Sequence, residues 1–277
     1  MSSPMITAAS PLLDAQDYAE IMRRAAARLR HEGSGALDLA VPACPGWKVR
    51  NLLFHVGHVA SYVLACVVAR GPQPDYRDPE PPPDTQLCDW MSEQVATVQA
   101  RMAQTPPAAP AWNWSTGPQT ASFWPRHLAH EAQIHLWDLH DALGRAAGSG
   151  APPRTTALAH LGAASLAAVA VDGVDEILRL HLPARRRDEA ALPGHGHARL
   201  VAVDVGIGWD VDLANDSVRS YEVGAEPVDA PAVAEGRVVL QGTAEVLYLA
   251  LWGRVPLPLP AGTPPGARRI GAALVSG

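Results

Sequence analysis

The sequence predicts an α+β protein in which an N-terminal helical bundle is followed by a small α+β domain with an antiparallel sheet. Apolar residues recur at helical spacing from about residue 11 to residue 180, and short runs with period-two patterning follow beyond His181. The 277 residues are 48% hydrophobic and 18% charged, which suits packed cores and excludes a disordered chain. We therefore predict two domains, at residues 1–182 and 183–277.

The first domain is expected to contain four amphipathic helices. Prolines in the segments 40–47, 71–84 and 106–110 interrupt the helical pattern, because proline cannot continue a helix interior. Pro125 is compatible with the first turn of a helix, and Gly144 with a helix end. The four predicted helices span residues 11–31, 49–70, 85–102 and 122–143.

A fifth helix is predicted at residues 155–180, after a linker at 147–153. The segment 183–197 is predicted to be a loop, with a solvated charge run at residues 185–187. Thr243 can cap a short helix at 244–252. The alternating runs predict strands within residues 199–206, 208–213, 218–223 and 238–242.

Charge and cysteine content restrict the partners and the compartment. A net charge of −6 repels nucleic acid and anionic lipid, so neither nucleic acid nor a membrane is expected as a partner. The three cysteines are widely spaced, which favours a reducing cytoplasm over a disulfide framework, and the N-terminus does not resemble a secretory signal. The uncharged stretch 52–69 is interpreted as a buried helix of a soluble protein. We expect a monomer or a homodimer.

Polar residues form one stripe on each of two otherwise apolar helices. On the second helix the stripe consists of Asn51, His55 and His58, at positions i, i+4 and i+7. On the fourth helix the stripe falls within an arc of roughly 80°. Its members are His127, Glu131, His135 and Asp138. Two such stripes satisfy each other most easily by facing one interior site, as in the metal sites of helical bundles.

The string from His130 to His135 resembles the zincin motif H-E-x-x-H but is one residue too long. Histidines five residues apart lie about 140° apart around a helix and cannot reach one metal ion. Glu131 and His135 are four residues apart, so both can bind one metal ion. A third ligand is expected from the second helix, with His55 as the first choice and His58 as the second. Two histidines and one glutamate leave an open position, as in catalytic zinc sites.

The same residue types also have structural interpretations. His140 and His160 are interpreted as ordinary helix positions, His195 and His197 as exposed, and Cys44 as structural. No Walker A loop, G-x-S-x-G or G-x-G-x-x-G motif is found, which disfavours P-loop, serine hydrolase and Rossmann chemistry. Four tryptophans can pack in the core or line a pocket near the site: Trp47, Trp112, Trp114 and Trp137.

Three segments of the chain contain motifs of a known family. They are VPACPGWKVRNLLFHVGHV, WPRHLAHEAQIHLWDLHDALG and LQGTAEVLYLALWGR, at residues 41–59, 124–144 and 240–254. Their sequence and order resemble the mycothiol-dependent maleylpyruvate isomerase family, a branch of the DinB-like metalloenzymes. The resemblance implies a DinB-like bundle and mycothiol as a thiol cosubstrate. It also implies that Zn²⁺, or another divalent metal, is held by His55, Glu131 and His135.

The resemblance further implies a thiol-dependent isomerase or S-transferase that acts on a small, anionic electrophile. Arg254 of the final G-R is expected to act in catalysis and to hold a carboxylate or the thiol cofactor, with Trp47 as a second cofactor-binding residue. His127 is assigned as a proton shuttle, and Asp138 as a partner that orients a ligand. Two other functions stay open: a metal-dependent hydrolase that uses zinc-bound water, and a non-catalytic protein that binds a metal or a small molecule.

Overall fold

A computed structural model of the chain describes residues 13–148, 163–188, 192, 195–223 and 236–276. The chain divides into two compact units. One contains Asp14–His160, and the other contains Leu161–Gly277 together with Met1–Leu13.

The described part of the first unit contains four helices, as predicted. They are α1 (Ala15–Gly33), α2 (Val49–Ala69), α3 (Asp84–Ala103) and α4 (Phe123–Ala146). Helix α1 packs on α4 and α3, and helix α2 packs on α3 and α4. Large apolar side chains that are nearly or fully buried form the core between them, among them Leu29, Leu52, Leu53, Met91, Leu136 and Leu139. The burial of these side chains is the main stabilising contribution to the unit.

Local signals set where α1 begins and how closely α2 approaches α3. The side chain of Asp14 accepts hydrogen bonds from the backbone N–H groups of Gln16 and Asp17, so α1 starts at Ala15 rather than at residue 11. In α2, a Cβ atom at Gly57 would lie 2.4 Å from Cζ3 of Trp90 in α3. Glycine is therefore required there for the two helices to pack as they do.

Helix α2 is the one helix among the described residues whose length and composition would allow it to cross a membrane. Core helices that pack on several neighbours pass the same test, and α2 packs on both α3 and α4. Its buried residues include Leu52, Leu53 and Val63. The interpretation as a core helix agrees with this packing.

In the described part of the second unit, the first elements are α5 (Ala163–Glu176), a π-helical turn (Ile177–His181) and α6 (Leu182–Asp188). The predicted loop after residue 182 is therefore wrong as far as Asp188. Arg185 and Arg186 donate hydrogen bonds to the backbone carbonyls of Val275 and Leu213, so these two arginines are not a solvated charge run. The helical run continues through Pro183 directly after the π-helical turn, where the ordinary i→i+4 hydrogen bonds that a proline would break are already replaced.

A four-stranded sheet follows, with strands β1 (His197–Ala202), β2 (Ile207–Asp212), β3 (Ser217–Glu222) and β4 (Arg237–Gly242). Its order is β3-β2-β1-β4. Strands β1, β2 and β3 are antiparallel neighbours, but β4 pairs with β1 in parallel. The α+β class is confirmed, and the sheet is mixed rather than wholly antiparallel, because period-two patterning identifies a strand and not its direction.

Two helices complete the second unit, α7 (Ala244–Leu251) and α8 (Pro265–Ala273), and both pack on β1 and β4. As predicted, Thr243 caps α7, since its Oγ1 accepts from the N–H of Val246 at 3.2 Å. Helix α8 was not predicted. Helix α5 packs on α7, which places α5 in this unit. The predicted domain boundary after residue 182 stays a prediction.

A candidate metal centre between two helices

The two polar stripes contribute three side chains to one cluster in the first unit. His55 from α2 and Glu131 and His135 from α4 have ligand atoms within 4.8 Å of one another. Nε2 of His135 lies 3.2 Å from Oε2 of Glu131, and Nε2 of His55 lies 3.8 Å from the same oxygen. Ligands with bonds of about 2.0–2.1 Å to a tetrahedral ion lie about 3.3 Å apart. We call these three residues the trio, and their spacing fits a zinc-sized ion.

Helix geometry explains the membership of the trio. Glu131 and His135 are one turn apart on α4, so their side chains share a face. His130 is buried but does not join the cluster. This agrees with the exclusion of the zincin motif.

The structure brings His55, and not His58, to the pair on α4. Nε2 of His58 lies 2.9 Å from Oδ1 of Asp78, in the proline-rich segment between α2 and α3. The next contact along this segment is a hydrogen bond of 2.5 Å between the hydroxyls of Ser61 and Tyr76. His58 thus anchors the segment on α2, on the turn that follows His55.

A buried carboxylate orients His135. Oδ2 of Asp138 accepts from Nδ1 of His135 at 3.0 Å, and Asp138 is 0% exposed. The bond leaves the Nε2 lone pair for a metal ion, which is the usual arrangement of a carboxylate behind a histidine ligand. Asp138, which the sequence analysis assigned as a residue that orients a ligand, therefore contacts the trio directly through His135.

The charges in this cluster are strongly coupled in the metal-free protein. Burial lowers the pKa of His135, but hydrogen bonds to Asp138 and Glu131 outweigh it and raise the pKa to about 9. Burial raises the pKa of Glu131, but hydrogen bonds with His135 and His55 outweigh that effect, so the pKa lies well below its usual value. A metal ion at the trio must therefore displace a proton from His135.

The turn before α2 contributes two further side chains. The ring of Trp47 stacks on that of His135 with centroids 6.1 Å apart, and its centroid lies 5.1 Å from that of His55. Trp47 thus forms one wall of the site. The thiol of Cys44 donates to Oδ2 of Asp138 at 3.7 Å. The sequence interpretation of Cys44 as a structural residue missed this contact. The one sequence feature that pointed to this turn was Trp47, which was predicted to lie near the site.

His127 lies at the other end of the stripe on α4. Its Nε2 is 3.7 Å from Oε1 of Glu131, and the residue is 5% exposed. Its ring is enclosed by Trp114, Phe123 and Trp124, with centroids 5.1, 5.6 and 5.9 Å away. Phe123 and Trp124 were not predicted as part of the site. These three aromatic rings give the imidazole of His127 a largely apolar surround.

The other two tryptophans have different surroundings. The backbone carbonyl of Trp112 accepts from Nε1 of Trp124 at 3.1 Å, and the Trp112 ring lies edge-on to Tyr62. Trp137 is buried in the core of the first unit. Trp112 therefore supports the enclosure of His127 through Trp124, and Trp137 packs as a core residue.

Arg254 lies in the second unit, directly after α7. Its Nη1 donates to the carbonyl of Trp252 at 2.6 Å, and its guanidinium carbon lies 6.0 Å from the Trp252 ring centroid. Its role at the site remains a prediction from the sequence resemblance.

The other histidines considered in the sequence analysis lie outside the trio. Nε2 of His140 lies 2.8 Å from Oε2 of Glu32, which links α4 to α1. His195 and His197 are exposed, as predicted. His160 lies outside the described residues.

Comparison with known proteins adds to this geometry. Residues 17–140 match the model of a protein family described as the mycothiol maleylpyruvate isomerase N-terminal domain. A crystal structure of the mycothiol-dependent maleylpyruvate isomerase aligns with a TM-score of 0.55 and 14% identity, over 93% of this chain and 98% of that chain. A mutant of that enzyme with a histidine replaced by alanine aligns with a TM-score of 0.54 and 13% identity. At these identities the likeness concerns the fold. A search of curated proteins finds no match.

Proposed function

We propose that this chain is a zinc-dependent enzyme that uses a thiol. The proposal proceeds from the premise that residues 17–140 form a domain of the mycothiol maleylpyruvate isomerase N-terminal family. The match over residues 17–140 supports the resemblance inferred from the first two sequence segments, and the shared fold agrees with it. The thiol is mycothiol, and the second substrate is a small, anionic electrophile. The reaction is isomerisation or S-transfer. These reactions differ in whether the thiol is released again, so the same residues serve both.

One observation carries the proposal: His55, Glu131 and His135 converge from two helices with Asp138 behind His135. Two neutral imidazoles and one carboxylate suit zinc and leave a position open for a further ligand. When bound, zinc supplies the positive charge that lowers the pKa of a coordinated thiol and makes thiolate available at neutral pH.

The residues around the trio have separable roles. Asp138 holds the His135 ring in the tautomer that presents Nε2. His127 can exchange a proton with Glu131 through one water or a small side-chain movement, because their nearest polar atoms are 3.7 Å apart. We therefore assign proton transfer to His127. Trp47 packs against both histidine ligands and shields that side of the site from water.

Arg254 is assigned to the anionic group of the substrate or of the thiol. A planar guanidinium binds a carboxylate through two parallel hydrogen bonds, which a lysine cannot reproduce. This assignment rests on the position of Arg254 in the G-R that ends the third family-like segment.

The Glu131–His127 pair also suits a hydrolase, because the same two side chains can take a proton from water. The two enzymes differ in one requirement. A thiol-using enzyme turns over only when both metal and thiol are present, whereas a hydrolase turns over without thiol. A non-catalytic binding protein would bind its ligand stoichiometrically and release no product.

Elemental analysis combined with thiol calorimetry tests the proposal. Wild-type protein is expected to hold about one zinc per chain, and Glu131→Ala and His135→Ala are expected to lose both zinc and thiol binding. His58→Ala is the matched control, because His58 pairs with Asp78 outside the trio. It is expected to retain both. Wild-type protein that stays free of metal after zinc is supplied would refute the zinc site.

A further inference from the structure

We propose that Cys44, His135 and Asp138 form a second cation site, adjacent to the trio and selective for thiophilic divalent metals. The Sγ of Cys44, Nδ1 of His135 and a carboxylate oxygen of Asp138 lie within 4.8 Å of one another. Neither the family resemblance nor the thiol chemistry proposed above assigns a role to Cys44 or treats these three residues as a metal site of their own. The site shares His135 with the trio, through the opposite ring nitrogen.

The distances already match those around a four-coordinate ion. Cys44 Sγ is 3.7 Å from Asp138 Oδ2, and that oxygen is 3.0 Å from His135 Nδ1. With metal–sulfur bonds of about 2.3 Å and bonds of about 2.0–2.1 Å to nitrogen and oxygen, tetrahedral ligands lie about 3.5 Å (S to O) and about 3.3 Å (N to O) apart. Shifts of a few tenths of an ångström would therefore suffice to bind an ion.

The backbone presents Cys44 in a fixed position. Its N–H donates to the carbonyl of Val41 at 3.1 Å, and its carbonyl accepts from the N–H of Trp47 at 2.9 Å. Asp138 is fully buried, whereas Cys44 is half-buried and thus opens the group towards solvent. An ion can enter from the cysteine side without unfolding α4.

The donor set determines which cations bind. A thiolate and an imidazole favour zinc, cobalt and cadmium over magnesium and calcium, which prefer oxygen ligands. Binding releases the thiol proton of Cys44 and the Nδ1 proton of His135. Occupation also removes the hydrogen bond by which Asp138 orients His135. Excess zinc is therefore expected to inhibit the enzyme, and this one consequence rests on the proposed function.

Cobalt(II) titration tests the site independently of any activity. Thiolate coordination gives a near-ultraviolet charge-transfer band, whereas nitrogen and oxygen ligands give only the weaker visible bands. We expect wild-type protein to develop the charge-transfer band and Cys44→Ser to lack it while retaining the visible bands of the trio. Glu131→Ala, which removes a trio ligand, is expected to keep the charge-transfer band.

Cys88→Ser is the matched control, because Cys88 is a half-buried cysteine outside the cluster. It is expected to behave like wild type. Wild-type protein without the band at excess cobalt, or a band that persists in Cys44→Ser, would overturn the second site and leave the proposed function intact. Loss of the visible bands in wild type would refute the trio instead.

Discussion

Replacing Asp138 by Asn removes the negative charge behind His135 and keeps the size of the side chain. The carboxylate oxygen lies 3.0 Å from Nδ1, and Asp138 is fully buried. Two unit charges at this separation interact by about 5.5 kcal/mol at an effective dielectric constant of about 20. A metal-bound imidazole carries only part of a charge, so we expect a loss of about 1.4–2.7 kcal/mol, or about 10–100-fold in zinc affinity.

Zinc affinity can be measured by competition with a chromophoric chelator, with circular dichroism to verify folding. Asp78→Asn is the matched control, because Asp78 makes a similar bond to a histidine, at 2.9 Å, but its side chain is 80% exposed. The control is expected to bind zinc as wild type does. If Asp138→Asn also binds zinc within about twofold of wild type, Asp138 does not tune the ligand and the reasoning fails.

Three further predictions follow from the same contacts. Zinc affinity should rise about tenfold per pH unit up to about pH 9, because the raised pKa of His135 means that zinc competes with a proton for this side chain. Zinc affinity can be measured by chelator competition at two pH values, and equal affinities would contradict the prediction. Gly57→Ala should lower the free energy of unfolding in urea by about 1–2 kcal/mol, since its Cβ would collide with Trp90, whereas Gly35→Ala, with nothing within 4 Å, should be neutral. Arg254→Lys should reduce turnover at least tenfold at unchanged zinc content, and equal kinetics would remove Arg254 from the site.

The helical part of the fold was predictable because its signals are local. Apolar spacing located α1 to α4 within a few residues, and proline marked the connectors. Helical spacing also placed Glu131 and His135 on one face, independently of any family resemblance. Features that depend only on residues within one or two turns could be predicted from the sequence.

Features that depend on distant residues could not be predicted in the same way. His55 and His58 share one stripe, and the choice between them depends on Asp78, twenty residues further along the chain from His58. The contact of Cys44 with Asp138 joins residues 94 positions apart. The direction of β4 likewise depends on its partner strand. Helix α8 has apolar residues at helical spacing, but with nine residues it spans too few turns to stand out from the proline-rich segment before it.

The proline-rich segment between α2 and α3 has a consequence for how related proteins can diverge. Six prolines between residues 72 and 83 restrict the conformations of the unfolded chain, so ordering this segment costs little entropy. Tyr76 and Asp78 fasten it to α2, beside the turn that carries His55. The segment contributes no member of the trio. Substitutions at its positions other than Tyr76 and Asp78 can therefore alter the surroundings of the candidate metal centre while its three ligands stay in place.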